Sequence, residues 1–490
     1  MAKSPELTDQ RLSVATLILS ATALIIASFA ILPAKAPWVD ELYTWYGIRH
    51  ETFEHFADSI SSGINFSPPL YFFLNWLVQL VTPLSLDALR VESLLWVLGG
   101  GFLVHRAASP NAGDLASACG VAVVLLQSTL LREQSLEARQ YGMMFFCGAA
   151  VAFSGNQLAE IPTDRKRQVY HALAHLALCL THYLGIVFSG TASLALVLAR
   201  WKKEDKLCFP RVEMFAWVPS ITLYLILLAR QSSHLGTWPR PNTPADLAAL
   251  HLDSFLPLSI ALPFLAFLLI SPTAPTKATP KTICKASRHS HLPFLAIFWI
   301  LIPSLIWIIS NITPLNLFKE RYFMPKESAY MFALALLFAK FDLQKTPKNN
   351  INLIISYALL LIFCITSLVL YTQRKLFALE PSRNYYHWLI ADEAIQSSHL
   401  PKVFTGDPIF FPNLYLSPPK TDSYLLLPEP ETARVYQDFS SRTNILTPFD
   451  LKKFSEYLLI TDKEIPDSQL LPSLSPHGIL RAYQMRDSNP

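Results

Sequence analysis

The sequence predicts a mostly α-helical polytopic membrane protein, with about eleven transmembrane helices and a small C-terminal α/β domain. Of its 490 residues, 52% are hydrophobic and only 16% are charged, and the mean hydropathy is +0.32. Soluble domains contain about a quarter charged residues, so an aqueous fold could not bury this much apolar surface. Apolar runs near the roughly 20 residues that a spanning helix needs recur along the chain as far as residue 371.

Composition also excludes several function classes. The chain has 40 Lys and Arg against 36 Asp and Glu, and a formal net charge of +4 does not indicate nucleic-acid binding. It has 6 cysteines, none of them after residue 372, which excludes a disulfide-stabilised exterior. We find no internal repeat, no phosphate-binding glycine loop, and no metal-spaced Cys and His set.

The first apolar run, residues 12–32, carries no charge. Pro33 and Lys35 follow it where a signal peptide would have a small-residue cleavage site, so we expect a retained anchor. The further predicted spans are residues 89–104, 115–131, 141–158, 169–181, 184–199, 214–229, 252–270, 292–309, 322–339 and 351–371.

The distribution of Lys and Arg sets the orientation of these spans. One alternate set of loops carries less than half as many Lys and Arg as the other set. Because cytoplasmic loops are enriched in these residues, we expect a cytoplasmic N-terminus and a periplasmic C-terminal domain, in a bacterial inner membrane. Counting residues 68–84 as a span would destroy this asymmetry. We therefore predict that this aromatic stretch lies at the membrane interface, inside an outer loop of residues 33–88.

Residues 372–490 change character, because prolines are frequent and no run is long enough to span. We predict a small α/β outer domain here, separate from the transmembrane domain of residues 1–371. Its expected elements are a helix at residues 385–396 and strands at residues 402–405, 423–427, 457–461 and 479–485.

Asp40 and Glu41 follow the first predicted span, in the sequence APWVDELYTW. Acidic residues are favourable in the first turn of a helix, so the local sequence favours a purely structural role for this pair at a helix N-terminus. Adjacent carboxylates at the mouth of an apolar bundle could also act as a general base or bind a divalent cation.

Three more predicted outer segments carry candidate groups. Glu137 and Arg139 lie between two spans, where ionisable groups are costly and usually functional, although a weak surface ion pair is the alternative. His182 lies in a predicted turn, and most such histidines only pack. Lys319, Arg321 and Tyr322 precede an apolar run, where an arginine could bind phosphate or extend to the interface.

Five motifs, in order along the chain, resemble the landmarks of the GT-C glycosyltransferases. The most similar branch contains the protein O-mannosyltransferases and the lipid A aminoarabinose transferase. The motifs are WVDE at residues 38–41, SPPLYF at 67–72, EARQY at 137–141, THY at 181–183 and RYFMP at 321–325.

The resemblance implies a GT-C-like fold and transfer of a sugar from a polyprenyl-phosphate donor to an acceptor hydroxyl at the outer face, with inversion. It implies Asp40, Glu41 and Glu137 as catalytic acids, and leaves open which of Asp40 and Glu41 is the base. Groups for the donor phosphate would be Arg139, Lys319, Arg321 and Tyr322. Substrate-lining residues would be Tyr71, His182 and Tyr183.

The sequence does not distinguish between a glycan, a lipid and a protein as the acceptor. Membrane lipids are the other expected partners. The sequence identifies no certain cofactor, and the one it leaves possible is a divalent cation at Asp40 or Glu41. The main alternative function is a polytopic transporter or lipid flippase, whose charged residues should lie near the middle of the bilayer. A non-enzymatic assembly partner is a further alternative.

Overall fold

In the computed structural model, the described residues are 5–63, 65–204, 211–231, 243–252, 290–313, 317–340, 350–378 and short segments between 401 and 486. The helices are α1 Pro5–Ile31, α2 Val39–Gly47, α3 Phe53–Ser61, α4 Leu70–Val81, α5 Leu86–Ala112, α6 Asp114–Gln127, α7 Thr129–Gln134, α8 Tyr141–Glu160, α9 Arg165–Thr181, α10 Gly185–Glu204, α11 Arg211–Gln231, α12 Leu292–Ile312, α13 Pro325–Lys340 and α14 Asn350–Ala378. Residues 244–252 are also helical.

These helices coincide with the predicted spans, except for residues 252–270, which lie almost entirely outside the described residues. Five helical segments in the described part are long and apolar enough to cross a membrane: Asp9–Ala34, Leu86–Ala112, Arg211–Arg230, Leu292–Ile312 and Ala358–Phe377. The total of about eleven spans and the orientation of the termini remain predictions.

Helices α5, α6, α8 and α13 form the centre of the bundle. Glycines allow close approach there, since a Cβ added at Gly120 of α6 would lie 2.8 Å from the backbone of α13. A Cβ at Gly142 of α8 would lie 2.7 Å from the carbonyl oxygen of Ser93 in α5. Side chains at these two positions would therefore force the helices apart.

Helix α4 has 12 residues, and its length of about 18 Å is too short for a straight crossing of the roughly 30 Å hydrocarbon core. One face buries Tyr71, Phe72, Asn75 and Trp76, and the Trp76 indole donates to the carbonyl oxygen of His50 at 2.8 Å. The other face exposes Leu74, Leu77, Val78, Leu80 and Val81. Such an amphipathic helix suits the predicted interfacial position.

The predicted span at residues 115–131 is interrupted, since α6 ends at Gln127. The Ser128 hydroxyl accepts from the N–H of Leu131. Ser128 thereby caps the short helix α7, which begins at Thr129. A non-helical segment then runs from Ser135 to Gln140. Serine caps a new helix well because its side chain satisfies an otherwise unpaired N–H group, so the chain turns here within an apolar stretch.

The described C-terminal segments form a six-stranded sheet of β1 Lys402–Phe404, β2 Ser423–Leu426, β3 Ile445–Leu446, β4 Glu456–Thr461, β5 Gln469–Leu474 and β6 Arg481–Arg486, in the order β3-β2-β1-β4-β6-β5. Strands β1 to β4 pair in parallel, and β6 pairs antiparallel with β4 and β5. The four predicted strands correspond to β1, β2, β4 and β6. The predicted helix at residues 385–396 lies outside the described residues, and the division at residue 371 remains a prediction.

The chain returns repeatedly to one end of the bundle, which we call the α2 end. His182 follows α9 there, and the Tyr224 hydroxyl of α11 donates to the carbonyl oxygen of His182 at 3.2 Å. Both α9 and α11 therefore run towards the α2 end. The 3-10 turn Glu320–Phe323 contacts α7 at this same end.

Candidate active site

Asp40 and Glu41 both lie in the first turn of α2, where neighbouring side chains point about 100° apart. Glu41 points inward and is 0% exposed. Its Oε1 lies 3.1 Å from Lys35 Nζ and 2.9 Å from Arg90 Nε, and its Oε2 lies 2.7 Å from the Arg90 Nη2. We call Glu41, Lys35 and Arg90 the Glu41 hub.

Two backbone groups complete the hub. The N–H of Trp38 donates to Glu41 Oε2 at 3.0 Å, and the N–H of Ala138 donates to Oε1 at 3.1 Å. Burial alone would raise the pKa of Glu41, but Lys35, Arg90 and the Trp38 N–H outweigh it and lower that pKa to about 2. The ionised Glu41 carboxylate therefore links α2 to α5 and to the segment before α8.

Asp40 faces the opposite way and pairs with an arginine from much later in the chain. Its Oδ2 lies 2.7 Å from the Arg321 Nη2. Their side chains are 16% and 23% exposed, so this ion pair is partly exposed while the Glu41 carboxylate is 0% exposed. A partly exposed carboxylate can exchange a proton with a bound substrate, which a saturated and buried one cannot do without losing its partners.

Arg139 lies beside this pair and is nearly buried. Its Nη1 donates to the carbonyl oxygen of Asp40 at 3.0 Å, to Thr44 Oγ1 at 3.3 Å and to Asn65 Oδ1 at 2.7 Å. The Tyr141 ring lies near both arginines. The guanidinium carbons of Arg139 and Arg321 are 5.9 and 5.7 Å from the centre of this ring, within the range of cation–π contacts.

Glu137 is close enough to be influenced by charges of both the hub and the Asp40 pair. Burial raises the pKa of Glu137, Lys35 and Arg321 oppose that rise, and Glu41 and Asp40 add to it. On a helix, residues two positions apart point away from each other. The segment that carries Glu137 and Arg139 is not helical, so these two side chains can face the same site. We call Asp40, Glu137, Arg139 and Arg321 the acid–arginine cluster.

Aromatic side chains cover one side of the cluster. The His182 ring lies 4.6 Å from the Tyr322 ring and 6.1 Å from the Tyr141 ring, measured between ring centres. Burial and the charges of Arg139 and Arg321 lower the pKa of His182 to about 3. Its Nδ1 accepts the N–H of Leu184 at 3.1 Å, so the neutral ring carries its proton on Nε2 and can donate a hydrogen bond.

The predicted substrate-lining residues Tyr71 and Tyr183 lie on different elements of the structure. Tyr71 is fully buried on α4, close to the charges of Glu92, Arg139 and Glu41. The Tyr183 ring packs 5.3 Å from the Phe66 ring and 5.0 Å from the Tyr224 ring.

Lys319 precedes the 3-10 turn that carries Arg321, and its carbonyl oxygen accepts the N–H of Tyr322 at 3.0 Å. This backbone hydrogen bond helps to hold the turn that carries Arg321 and Tyr322.

Several polar atoms of the cluster have no hydrogen-bond partner among the described residues. They are the Nε groups of Arg139 and Arg321, the Oε2 of Glu137, and the Oδ2 of Asp40, whose contact with Arg321 is an ion pair; all four atoms are buried. A buried donor left unpaired costs about 1 to 3 kcal/mol, and more when the group is charged. Two guanidinium donors held in this condition at one place are suited to an anionic ligand.

The carboxylates at this site do not suit a divalent cation. Both oxygens of Glu41 already accept from N–H groups, and Asp40 is paired with Arg321. Lys35 and Arg90 bring further positive charge to the same place, which opposes a third cation.

Sequence reasoning missed the residues that hold the site together. Lys35 and Arg90 neutralise Glu41, and Asn65 orients Arg139. The segment carrying Asn65 is strained, because Phe66 has a positive φ of 36°. A charged residue such as Arg90 inside an apolar helix is a signal that could have been used, since such residues need a partner.

No protein-family model and no curated protein sequence matches this chain. Solved structures do. One is ArnT from Cupriavidus metallidurans bound to undecaprenyl phosphate, with a TM-score of 0.58 and 14% identity, covering 96% of this chain and 99% of that chain. The apo state of the same protein gives a TM-score of 0.59 and 14% identity, covering 96% and 98%. The likeness extends over nearly the whole chain and shows that this chain shares the fold of ArnT.

Proposed function

We propose that this protein is an integral-membrane glycosyltransferase that moves a sugar from a polyprenyl-phosphate donor to an acceptor hydroxyl at the α2 end of the bundle. One observation carries the proposal: Arg139 and Arg321 hold unpaired, buried Nε donors beside the partly exposed Asp40. The fold shared with ArnT, one structure of which holds undecaprenyl phosphate, supports a lipid-phosphate donor. The expected partners are thus the donor, an acceptor and the surrounding lipids.

Asp40 is the base in this proposal. It takes the proton of the acceptor hydroxyl as that oxygen attacks the anomeric carbon, a role that contributes about 10² to 10⁴ in rate. Glu41 cannot share the role, because its two oxygens are held by the hub. Glu137 lies near both acids and sets the local charge around Asp40.

The leaving group is the lipid phosphate. The bond between the anomeric carbon and the phosphate oxygen breaks with its electron pair on that oxygen, so the developing charge needs cations more than it needs an acid. Arg139 and Arg321 supply that stabilisation in a partly dehydrated site. A single displacement of this kind inverts the configuration at the sugar.

The transferase is tested with Asp40→Asn, Glu137→Gln and Arg321→Ala in cells that lack the native gene. Mass spectrometry of the lipid-linked and protein-linked glycans reports transfer, and immunoblotting of membranes reports abundance. We expect each variant to lose the product while it remains in the membrane. Arg167→Ala is the matched control, because Arg167 pairs with Glu160 at 3.1 Å outside the cluster. Wild-type glycans in all three variants would reject the enzymatic assignment.

A further inference from the structure

A second cluster of ionisable side chains lies away from the α2 end. His171 and His175 are four residues apart on α9, and Glu213 lies at the start of α11. All three are buried, and one ligand atom from each lies within 4.8 Å of the other two. His171 precedes His182 by eleven positions, which corresponds to about 16 Å along the helix axis between these two histidines. We call His171, His175 and Glu213 the histidine cluster.

Serine hydroxyls fix the orientation of both imidazole rings. The Ser154 hydroxyl lies within hydrogen-bond distance of the carbonyl oxygen of Val151, at 3.1 Å, and of His171 Nδ1, at 2.9 Å. Ser189 accepts from the Trp217 indole at 2.7 Å and bonds to His175 Nδ1 at 2.6 Å. Outer hydrogen bonds of this kind hold the histidine ligands of metal ions in one tautomer.

On the other side of the ring, His171 Nε2 faces two further polar atoms. His171 Nε2 lies 3.2 Å from His175 Nε2 and 3.3 Å from Glu213 Oε1. A lone pair facing a second nitrogen and a carboxylate oxygen is repulsive unless a positive charge lies between them. A metal ion supplies that charge, and so does a proton on His171 Nε2.

The distances favour the metal ion. Zinc bonds to nitrogen at about 2.0 to 2.1 Å, and in a tetrahedral site this separates the ligand atoms by about 3.3 Å. The two separations of 3.2 and 3.3 Å agree with that value. A proton on Nε2 points mainly at one of its two neighbours, whereas a metal ion among the three ligand atoms, which all lie within 4.8 Å of one another, would attract each of them. Two imidazoles and a carboxylate form a known zinc ligand set, and imidazole selects such metals over Mg²⁺ and Ca²⁺.

The surrounding helices leave room for the set. A Cβ at Gly155 of α8 would lie 2.9 Å from His291 Nε2 and 3.7 Å from His171 Cε1, so glycine is required beside these rings. His291 is buried, and its Nδ1 has no hydrogen-bond partner in the described part of the chain. It is therefore the neighbouring candidate for the fourth ligand.

We propose that His171, His175 and Glu213 bind a zinc-class transition-metal ion that ties α9 to α11 inside the helical bundle. The spacing HALAH at residues 171–175 puts both histidines on one helical face, so the sequence did contain a metal-spaced pair. The expectation of no such set was wrong on this point. The metal joins α9 and α11, whose other ends carry His182 and Tyr224 at the α2 end.

The test uses full-length protein with a tag free of histidine, purified in detergent from zinc-supplemented cells. Elemental analysis should find about one zinc per chain in the wild type and less than about a tenth of that in the double variant His171→Gln with His175→Gln. His105→Gln is the matched control, because His105 is a buried histidine on α5 outside the histidine cluster. Chelation should lower the melting temperature of the wild type, and added ZnCl2 should restore it.

A further variant separates loss of the metal from misfolding. His175→Cys replaces one ligand atom by another, so it should retain the metal. Loaded with Co²⁺, it should gain a thiolate-to-metal absorption band that the wild type lacks. Wild-type protein without zinc and with no change in melting temperature on adding ZnCl2 would overturn the proposal, as would full zinc content in the double variant. These readouts do not depend on sugar transfer, so they are independent of the proposed function.

Discussion

Asp40 and Glu41 are neighbours on one helical turn, yet their carboxylates occupy opposite environments. Glu41 is 0% exposed and accepts from two cationic side chains and two backbone N–H groups. Asp40 is 16% exposed, pairs with Arg321, and lies beside guanidinium donors that are still unpaired. The Glu41 charge has all its hydrogen bonds satisfied and stabilises the fold, whereas the Asp40 charge is incompletely paired and is available for chemistry.

The largest effect expected from this comparison is on catalysis at Asp40. Asp40→Asn keeps the shape of the side chain and removes the basic oxygen, so sugar transfer should fall by about 10² to 10⁴. Stability should change by less than about 1 kcal/mol, because the pair with Arg321 is partly exposed. Product formation and thermal melting of the purified protein measure the two quantities.

Asp87→Asn is the control for that change. Asp87 is 61% exposed and lies 3.1 Å from the same type of partner, Arg90. Its variant should transfer sugar at the wild-type rate. Equal rates for Asp40→Asn and the wild type would remove Asp40 from the mechanism.

Glu41→Gln should act on the fold instead. It leaves Lys35 and Arg90 without the buried carboxylate that neutralises them, and breaking such an arrangement costs about 3 to 5 kcal/mol. We expect low abundance in the membrane and a lower melting temperature, with activity per folded molecule reduced far less than in Asp40→Asn. Normal stability with complete loss of transfer would reverse the roles assigned to the two acids.

Arg321→Lys should produce a smaller loss. Lysine keeps the charge near Asp40 but lacks the planar fork and the Nε donor that Arg321 holds free. A lost charge-assisted hydrogen bond of about 1.5 to 3 kcal/mol corresponds to about a 10- to 150-fold decrease in kcat/KM. Steady-state kinetics measure this, with Arg167→Lys as the control. A decrease no larger than that of the control would exclude Arg321 as a phosphate ligand.

A further expected effect, confined to acidic solution, is the dependence of stability on pH that belongs to Glu41. The hub lowers its pKa from 4.5 to about 2, so the folded state favours the ionised form. This contribution is complete above about pH 4.5 and is lost as pH falls towards 2. The melting-temperature difference between wild type and Glu41→Gln should shrink over that interval. A constant difference would mean that the hub does not lower this pKa.

Much of the fold follows from local sequence. Apolar runs specify helices, because a polar backbone in lipid must bond to itself, and the described helices fall on the predicted spans. The break after Gln127 escaped prediction, since Ser128 is a weak cap signal inside an apolar run. Strands β3 and β5 were missed because short strands depend on their neighbours in the sheet.

The candidate site was predicted in part. Asp40, Glu137, Arg139 and Arg321 do come together, as their shared position after predicted spans suggested. Sequence could not choose between Asp40 and Glu41, since the choice depends on Arg90 at 2.7 Å from Glu41 and on Arg321 at 2.7 Å from Asp40. Those partners are 49 and 281 positions away along the chain.

The amino-acid sequence by itself determined the membrane class, the helical segments and the chemical identity of the reactive groups. Hydrophobicity and helical periodicity act over a few residues, so they can be read along the chain. Only the tertiary structure decided which acid is neutralised, which arginine donors remain unpaired, and that two histidines and Glu213 converge. Charges and hydrogen bonds act across space, and their partners become definite only when the helices pack.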